Sequence, residues 1–331
     1  MKKNIVISST IILLIVVVSM SYAGLRKPGL NGAAFLKIGV GARMSALGGA
    51  ATTLSGDPYA LFWNPAGSYL EAAKTQIGFS YNNWIADIGQ SVGVVSRGFG
   101  ELGTFSVGLI YQGLSDIPAL RDIAPLGMES SQVDQATGDN FDYYDMAVVL
   151  GYSKQLTDRL QLGVAAKYIA EKIDDQSVSA VAFDFGVIYR TGFRDLTIGA
   201  RMNNLGSDIK YYSIPAPLPL LFSIGTSMSI AKEEDNQLIA YFDLFKPQDQ
   251  SQLYFGALEW TVFERLALRS GYKFNYQGVL DDDDVPQTDE GATFGCGFNI
   301  EVSEYTLWFD YTFTDFQLMQ NAHRFSLKFE F

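Results

Sequence analysis

From Thr75 to the end of the chain, apolar residues return at every second position in one segment after another, which is the period of a β-strand. Ile77, Phe79 and Tyr81 share one face of the first segment, and Ile88, Val92 and Val94 share one face of the second, with Gln90 interrupting it. Phe105 to Tyr111, Met146 to Tyr152, Leu160 to Tyr168, Val181 to Tyr189 and Leu196 to Met202 continue the pattern. Further segments begin at Phe222, Leu238, Tyr254, Leu266, Phe294, Tyr305 and His323. Fourteen such segments are predicted, an even number, as a single-chain bacterial barrel requires.

The faces opposite the apolar ones hold the charges. Lys167, Arg201, Arg269, Lys273, Arg324 and Lys328 alternate with outward apolar neighbours, as do Glu171, Asp184, Asp243, Glu259, Asp310 and Glu330. A polar inner face with both signs in equal number predicts a filled lumen of paired charges rather than a wide pore, because an unpaired charge away from water is costly. Connections after even-numbered segments are short. Those after odd-numbered segments include the long ones, 113–140, 206–218 and 276–290. This asymmetry predicts periplasmic short turns, external long loops and both termini in the periplasm.

Residues 31–67 precede the strands and carry only Lys37, Arg43 and Asp57 as ionisable side chains among many glycines and alanines. A segment so poor in charge is expected to be buried, and the lumen is where it fits. Gly39-Val40-Gly41 begins like a dinucleotide fingerprint, but the third glycine and the βαβ context are absent, so Gly39 and Gly41, like Gly48 and Gly49, are read as close-packing positions. Asp57-Pro58 reads as a capped helix start, and Asn64-Pro65-Ala66-Gly67 as its stop after Trp63.

Met1-Lys2-Lys3, an apolar run to Val18 and Ser21-Tyr22-Ala23 read as a signal peptide over 1–23, since the run is too short and too interrupted for a membrane anchor. The predicted organisation is therefore a signal peptide at 1–23, a lumenal plug at 24–74 and a transmembrane β-barrel at 75–331. The formal charge of −12 becomes more acidic by two on removal of Lys2 and Lys3, which excludes nucleic acid as a partner. Cys296 is the only cysteine, so neither an intramolecular disulfide nor a lipid anchor at the cleavage site is expected.

No catalytic, cofactor or metal site emerges. The single histidine, His323, is placed on the outward face with no nucleophile to serve. Asp281 to Asp284 with Asp289 and Glu290 lack the glycine and the spacing of a calcium loop and read as a solvated acidic loop.

The block GAAFLKIGVGARMSALGGA, then DPYALFWNPAG, then strands ending in Phe331, resembles the PorV/PorQ family within the FadL-like outer-membrane barrels. The resemblance implies a fourteen-stranded barrel with an N-terminal lumenal segment and an asparagine-proline-alanine turn, built on Gly39, Gly41, Arg43, Gly48, Gly49, Asp57, Trp63, Asn64, Pro65, Ala66 and Gly67. It also implies that Phe331 closes a signal read by the barrel-assembly machinery. A PorV-like member would bind or shuttle exported cargo proteins with other type IX secretion components, with Ile117, Leu120, Ile123 and Leu126 as external contacts. The alternative is a FadL-like channel for long-chain fatty acids or other hydrophobic small molecules, with Leu253, Phe255, Arg269, Trp308 and Asp310 facing the lumen.

Overall fold

The computed structural model describes residues 30–71, 73–122, 134–211, 213–274, 290–316 and 320–331. The predicted signal peptide, Ile123, Leu126 and the acidic run 281–289 lie outside these residues, as does the side chain of Leu120.

Fourteen strands close into one antiparallel barrel. In chain order they are β1 (Thr75–Asn83), β2 (Gly89–Gly98), β3 (Thr104–Asp122), β4 (Asp134–Thr157), β5 (Leu160–Ile173), β6 (Gln176–Arg190) and β7 (Thr197–Gly206). After a two-residue hairpin, β8 (Ile209–Lys210) with β9 (Pro215–Ala216), the wall resumes with β10 (Leu221–Lys232), β11 (Asn236–Pro247), β12 (Leu253–Val262) and β13 (Leu266–Phe274). It ends with β14 (Ala292–Val302), β15 (Tyr305–Thr314) and β16 (Ala322–Glu330). β7 pairs with β10, and β16 returns to β1 with Phe79 opposite Leu327, so no edge remains. Closure of this kind satisfies every ladder hydrogen bond within the wall, which is what a strand-built span needs in lipid.

The outside of the wall is apolar and exposed: Phe79, Val107, Leu150, Phe183, Phe242, Leu258, Phe294 and Leu327 all project from it. A continuous apolar exterior around a polar, buried interior is the inverse of a soluble protein and matches a barrel solvated by lipid. All fourteen predicted segments are strands of the wall. Two readings need correction. Val92 and Val94 in β2 are buried on the lumen side, while Val95 faces out; glycine and serine occupy most of the outward positions of β2, so its apolar residues do not mark the lipid face. Of the stretch 113–140, expected as a loop, the described residues instead extend β3 to Asp122 and start β4 at Asp134, pairing Leu114 with Tyr143 and Ile117 with Phe141 on either side of a register shift.

Every connection at the end where the chain enters β1 and leaves β16 is short, whereas the opposite end carries the longer ones together with short turns such as the one between β5 and β6. Residues 30–71 sit within the wall as a plug of four short helical turns, Ala34–Lys37, Ala42–Ala46, Pro58–Phe62 and Pro65–Ser68. The last corrects the reading of Asn64 to Gly67 as a simple stop. Asn64 accepts from the Ala66 amide at 3.2 Å and caps a second turn that begins at Pro65, where proline is preorganised. Asp57 does the same for the first, accepting from Tyr59 N at 3.0 Å.

The plug fits because the wall has removed side chains to admit it. Inward glycines on several strands, among them Gly78, Gly108, Gly163, Gly186, Gly199 and Gly271, meet plug atoms directly. A Cβ on Gly199 would stand 2.6 Å from the Thr52 carbonyl oxygen, and one on Gly163 would collide with the backbone of Pro65 and Ala66.

Candidate functional site

Direct hydrogen bonds tie the plug to the wall. Ala42 N donates to Ser326 Oγ at 2.7 Å, Thr293 Oγ1 donates to Ala46 O at 3.0 Å, and Asn203 Nδ2 donates to Trp63 O at 2.8 Å. The helix Ala42–Ala46 ends at Gly48, whose left-handed backbone (φ 62°) lets the chain turn flat against Gly271. Asn64 Nδ2 donates to Thr52 O at 2.6 Å, so the asparagine both caps its own turn and pins the turn at Thr52.

Charge does the remaining anchoring. Arg43 forms a two-pronged pair with Glu259 at 2.9 and 2.8 Å, Glu259 pairs with Arg269 at 2.6 Å, and Arg269 pairs with Asp310 at 2.5 Å. Asp57 lies 3.7 Å from both Arg43 and Lys328. This row alternates in sign from the plug into the wall, so each buried charge has opposite neighbours, the condition under which burying charge is tolerable. Arg269 and Asp310 are thus inward, as expected, but they serve this network. Trp308 is inward too, with the Lys328 ammonium 3.9 Å from its ring centre. None of these three lines the open space.

That space is a cavity of about 490 Å³ between the plug and the long-connection end. Trp63, Phe245, Leu253, Phe255 and Leu221 give it an apolar wall, and Phe35, Ile38 and Val40 of the plug contribute its floor. Leu253 and Phe255, both buried, stand on its apolar side. Gly49 packs against Trp63 and Phe255, and Gly39 and Gly41 let the plug close on Trp63 and Tyr59. Gly67 has no room for a side chain beside the Leu54 carbonyl.

The opposite wall is polar. Asn82, Gln90, Gln112, Asp145 and Glu171 are register partners on five successive strands, β1 to β5, with Arg324 of β16 opposite Asn82. All are buried, and Gln112, Asp145, Glu171 and Arg324 border the cavity. Sequence reasoning missed four of the six, Asn82, Gln90, Gln112 and Asp145, although extending the alternation of β4 back from Met146 would have put Asp145 inside. Arg201 borders the cavity as well, its guanidinium 5.1 Å from the centre of Trp63 and 4.8 Å from that of Phe245.

No family model and no curated protein matches the chain. Solved structures do. The toluene transporter TodX of Pseudomonas putida superposes with a TM-score of 0.58, at 12% identity over 88% of this chain and 97% of its own. A FadL homologue of Pseudomonas aeruginosa gives 0.51 at 11% identity, over 85% and 95%. The fold is that of the FadL-like outer-membrane barrels. Such distant identity establishes architecture alone, and the FadL-like wall is what the two structures share with this chain.

Ile117 is half-buried in the strand extension of β3, and the side chains of Leu120, Ile123 and Leu126 lie outside the described residues. Glu290 pairs with Lys273 at the cavity edge. Phe331 closes the ladder, its carbonyl accepting from Thr75 N at 2.7 Å.

Proposed function

We propose that this protein is an outer-membrane channel for small hydrophobic molecules, with residues 1–23 as its export signal, the short-turn end in the periplasm and the long-connection end outside. The observation that carries the reading is the apolar cavity above the plug, walled by Leu253, Phe255, Phe245 and Trp63. A concave space with apolar and aromatic side chains along one side and placed polar groups along the other is a common form of small-molecule site. The FadL-like fold and the toluene transporter among its structural neighbours support the same direction. Phe331, the last residue of a strand with outward Phe325 and Leu327, would serve as the barrel-assembly signal.

The test is uptake of radiolabelled toluene and decanol by cells whose only such channel is this protein. Leu253→Asp with Phe255→Asp is expected to lower uptake at least about tenfold, equivalent to about 1.4 kcal/mol of lost binding. Trp308→Phe, outside the cavity, is expected to leave it unchanged. Undiminished uptake in the double variant would sink the channel reading. If that variant instead loses an exported protein from the cell surface, the cargo-shuttling role implied by PorV-like chains takes its place.

A further inference from the structure

Asp145 and Glu171 face each other directly across the β4–β5 ladder, both buried and both at the cavity. Like charges in that relation repel, since opposed side chains on a sheet stand about 5 Å apart. Elsewhere in the lumen buried carboxylates pair with cations, Asp184 with Lys167, Asp310 and Glu259 with Arg269, and Asp249 with Lys37, while Asp243 has no ion pair among the described residues and accepts from the Thr52 amide of the plug. Among the described residues Asp145 and Glu171 have no paired cation either, and the charge that acts on Glu171 is Asp145 itself.

Their hydrogen bonds leave acceptors open. Asp145 Oδ2 accepts from Gln112 Nε2 at 3.0 Å and from the Tyr143 hydroxyl. Glu171 Oε2 accepts from Ala33 N at 3.3 Å and from the Tyr211 hydroxyl at 3.0 Å. Both bonds to each carboxylate thus fall on one oxygen. Asp145 Oδ1 is buried without a partner, and so is Gln112 Oε1, the side-chain oxygen of a residue only 3% exposed. Buried oxygens in this state cost roughly 1–3 kcal/mol each unless a donor reaches them.

We propose that this corner of the cavity receives the protonated amine of an amphiphilic ligand, whose apolar body lies against Phe245, Leu253 and Phe255. The proposal rests on the channel reading and names its substrate class. An ammonium group brings three donors and one positive charge, matching Asp145 Oδ1, Gln112 Oε1 and the carboxylate of Glu171. A hard metal ion fits less well, because it takes six or more oxygens and the tyrosine hydroxyls here already donate to the carboxylates. A fatty acid anion would be repelled by this corner.

The experiment measures binding of decylamine, decanol and decanoate to the full-length protein in detergent at pH 7.5, read by the fluorescence of Trp63 and Trp84 at the cavity. Decylamine is expected to bind at least about tenfold more tightly than decanol. Asp145→Asn with Glu171→Gln is expected to reduce decylamine to the affinity of decanol. Equal binding of amine and alcohol, a preference for decanoate, or displacement of decylamine by calcium chloride overturns the proposal while leaving the channel reading in place. Binding of none of the three overturns both. Should the double variant not fold, the ranking of the three ligands by the natural chain decides alone.

Discussion

Replacing Gly163 with valine unseats the plug while leaving the fourteen-stranded wall able to close. The inward position of Gly163 meets the backbone of Pro65 and Ala66, and backbone has nowhere to move without breaking the turn that Asn64 caps. Overpacking of an interior costs about 1–3 kcal/mol where neighbours can shift, and the top of that range or beyond is expected here. The outward side of β5 is untouched, so the heat-modifiable migration of a folded barrel should persist in detergent gels. Cells carrying the variant should admit large antibiotics that the natural protein excludes, and planar-bilayer recordings should show steps of conductance. A closed, silent variant would mean that the plug does not depend on this seat.

The second large effect belongs to Glu259. It joins Arg43 of the plug to Arg269 of the wall, and Glu259→Leu leaves a half-buried and a buried guanidinium group facing one another with Asp57 and Asp310 as their remaining counter-charges. Breaking a buried pair in this way costs about 3–5 kcal/mol. The plug should then exchange its amide hydrogens far faster between Ala42 and Thr52, and limited proteolysis should cut it. Arg43→Met added to Glu259→Leu removes the surplus cation, leaves Arg269 with Asp310, and is expected to restore much of the protection. If the double variant is worse than the single one, the row of alternating charges is not what fastens the plug.

Much of the wall was readable from the chain because lipid outside and charge inside impose a strict alternation, and each strand from β3 onward carries enough large residues to display it. β2 was not, since its outward positions are filled largely by serine and glycine and Val92 and Val94 face the lumen. The extension of β3 and β4 was hidden for another reason: beyond the wall neither face meets lipid, so the alternation stops while the pairing continues. Leu253 and Phe255 carry the lumen-side parity of β12 and border the cavity. Trp308 shares their inward parity but not their height, and height along a barrel depends on register and on where the plug ends, neither of which a single strand records. The opposed Asp145 and Glu171 are a product of register in the same way.

Tyr59 of the plug donates its hydroxyl to the Leu327 carbonyl of β16 at 2.9 Å and packs on Gly78 of β1, straddling the line where the two ends of the wall meet. The residues translated first among those described thus find their seat only when those translated last have arrived. Completion of the wall and docking of the plug are therefore coupled, and a chain truncated before β16 is expected to keep an unmatched first strand and a loose plug together.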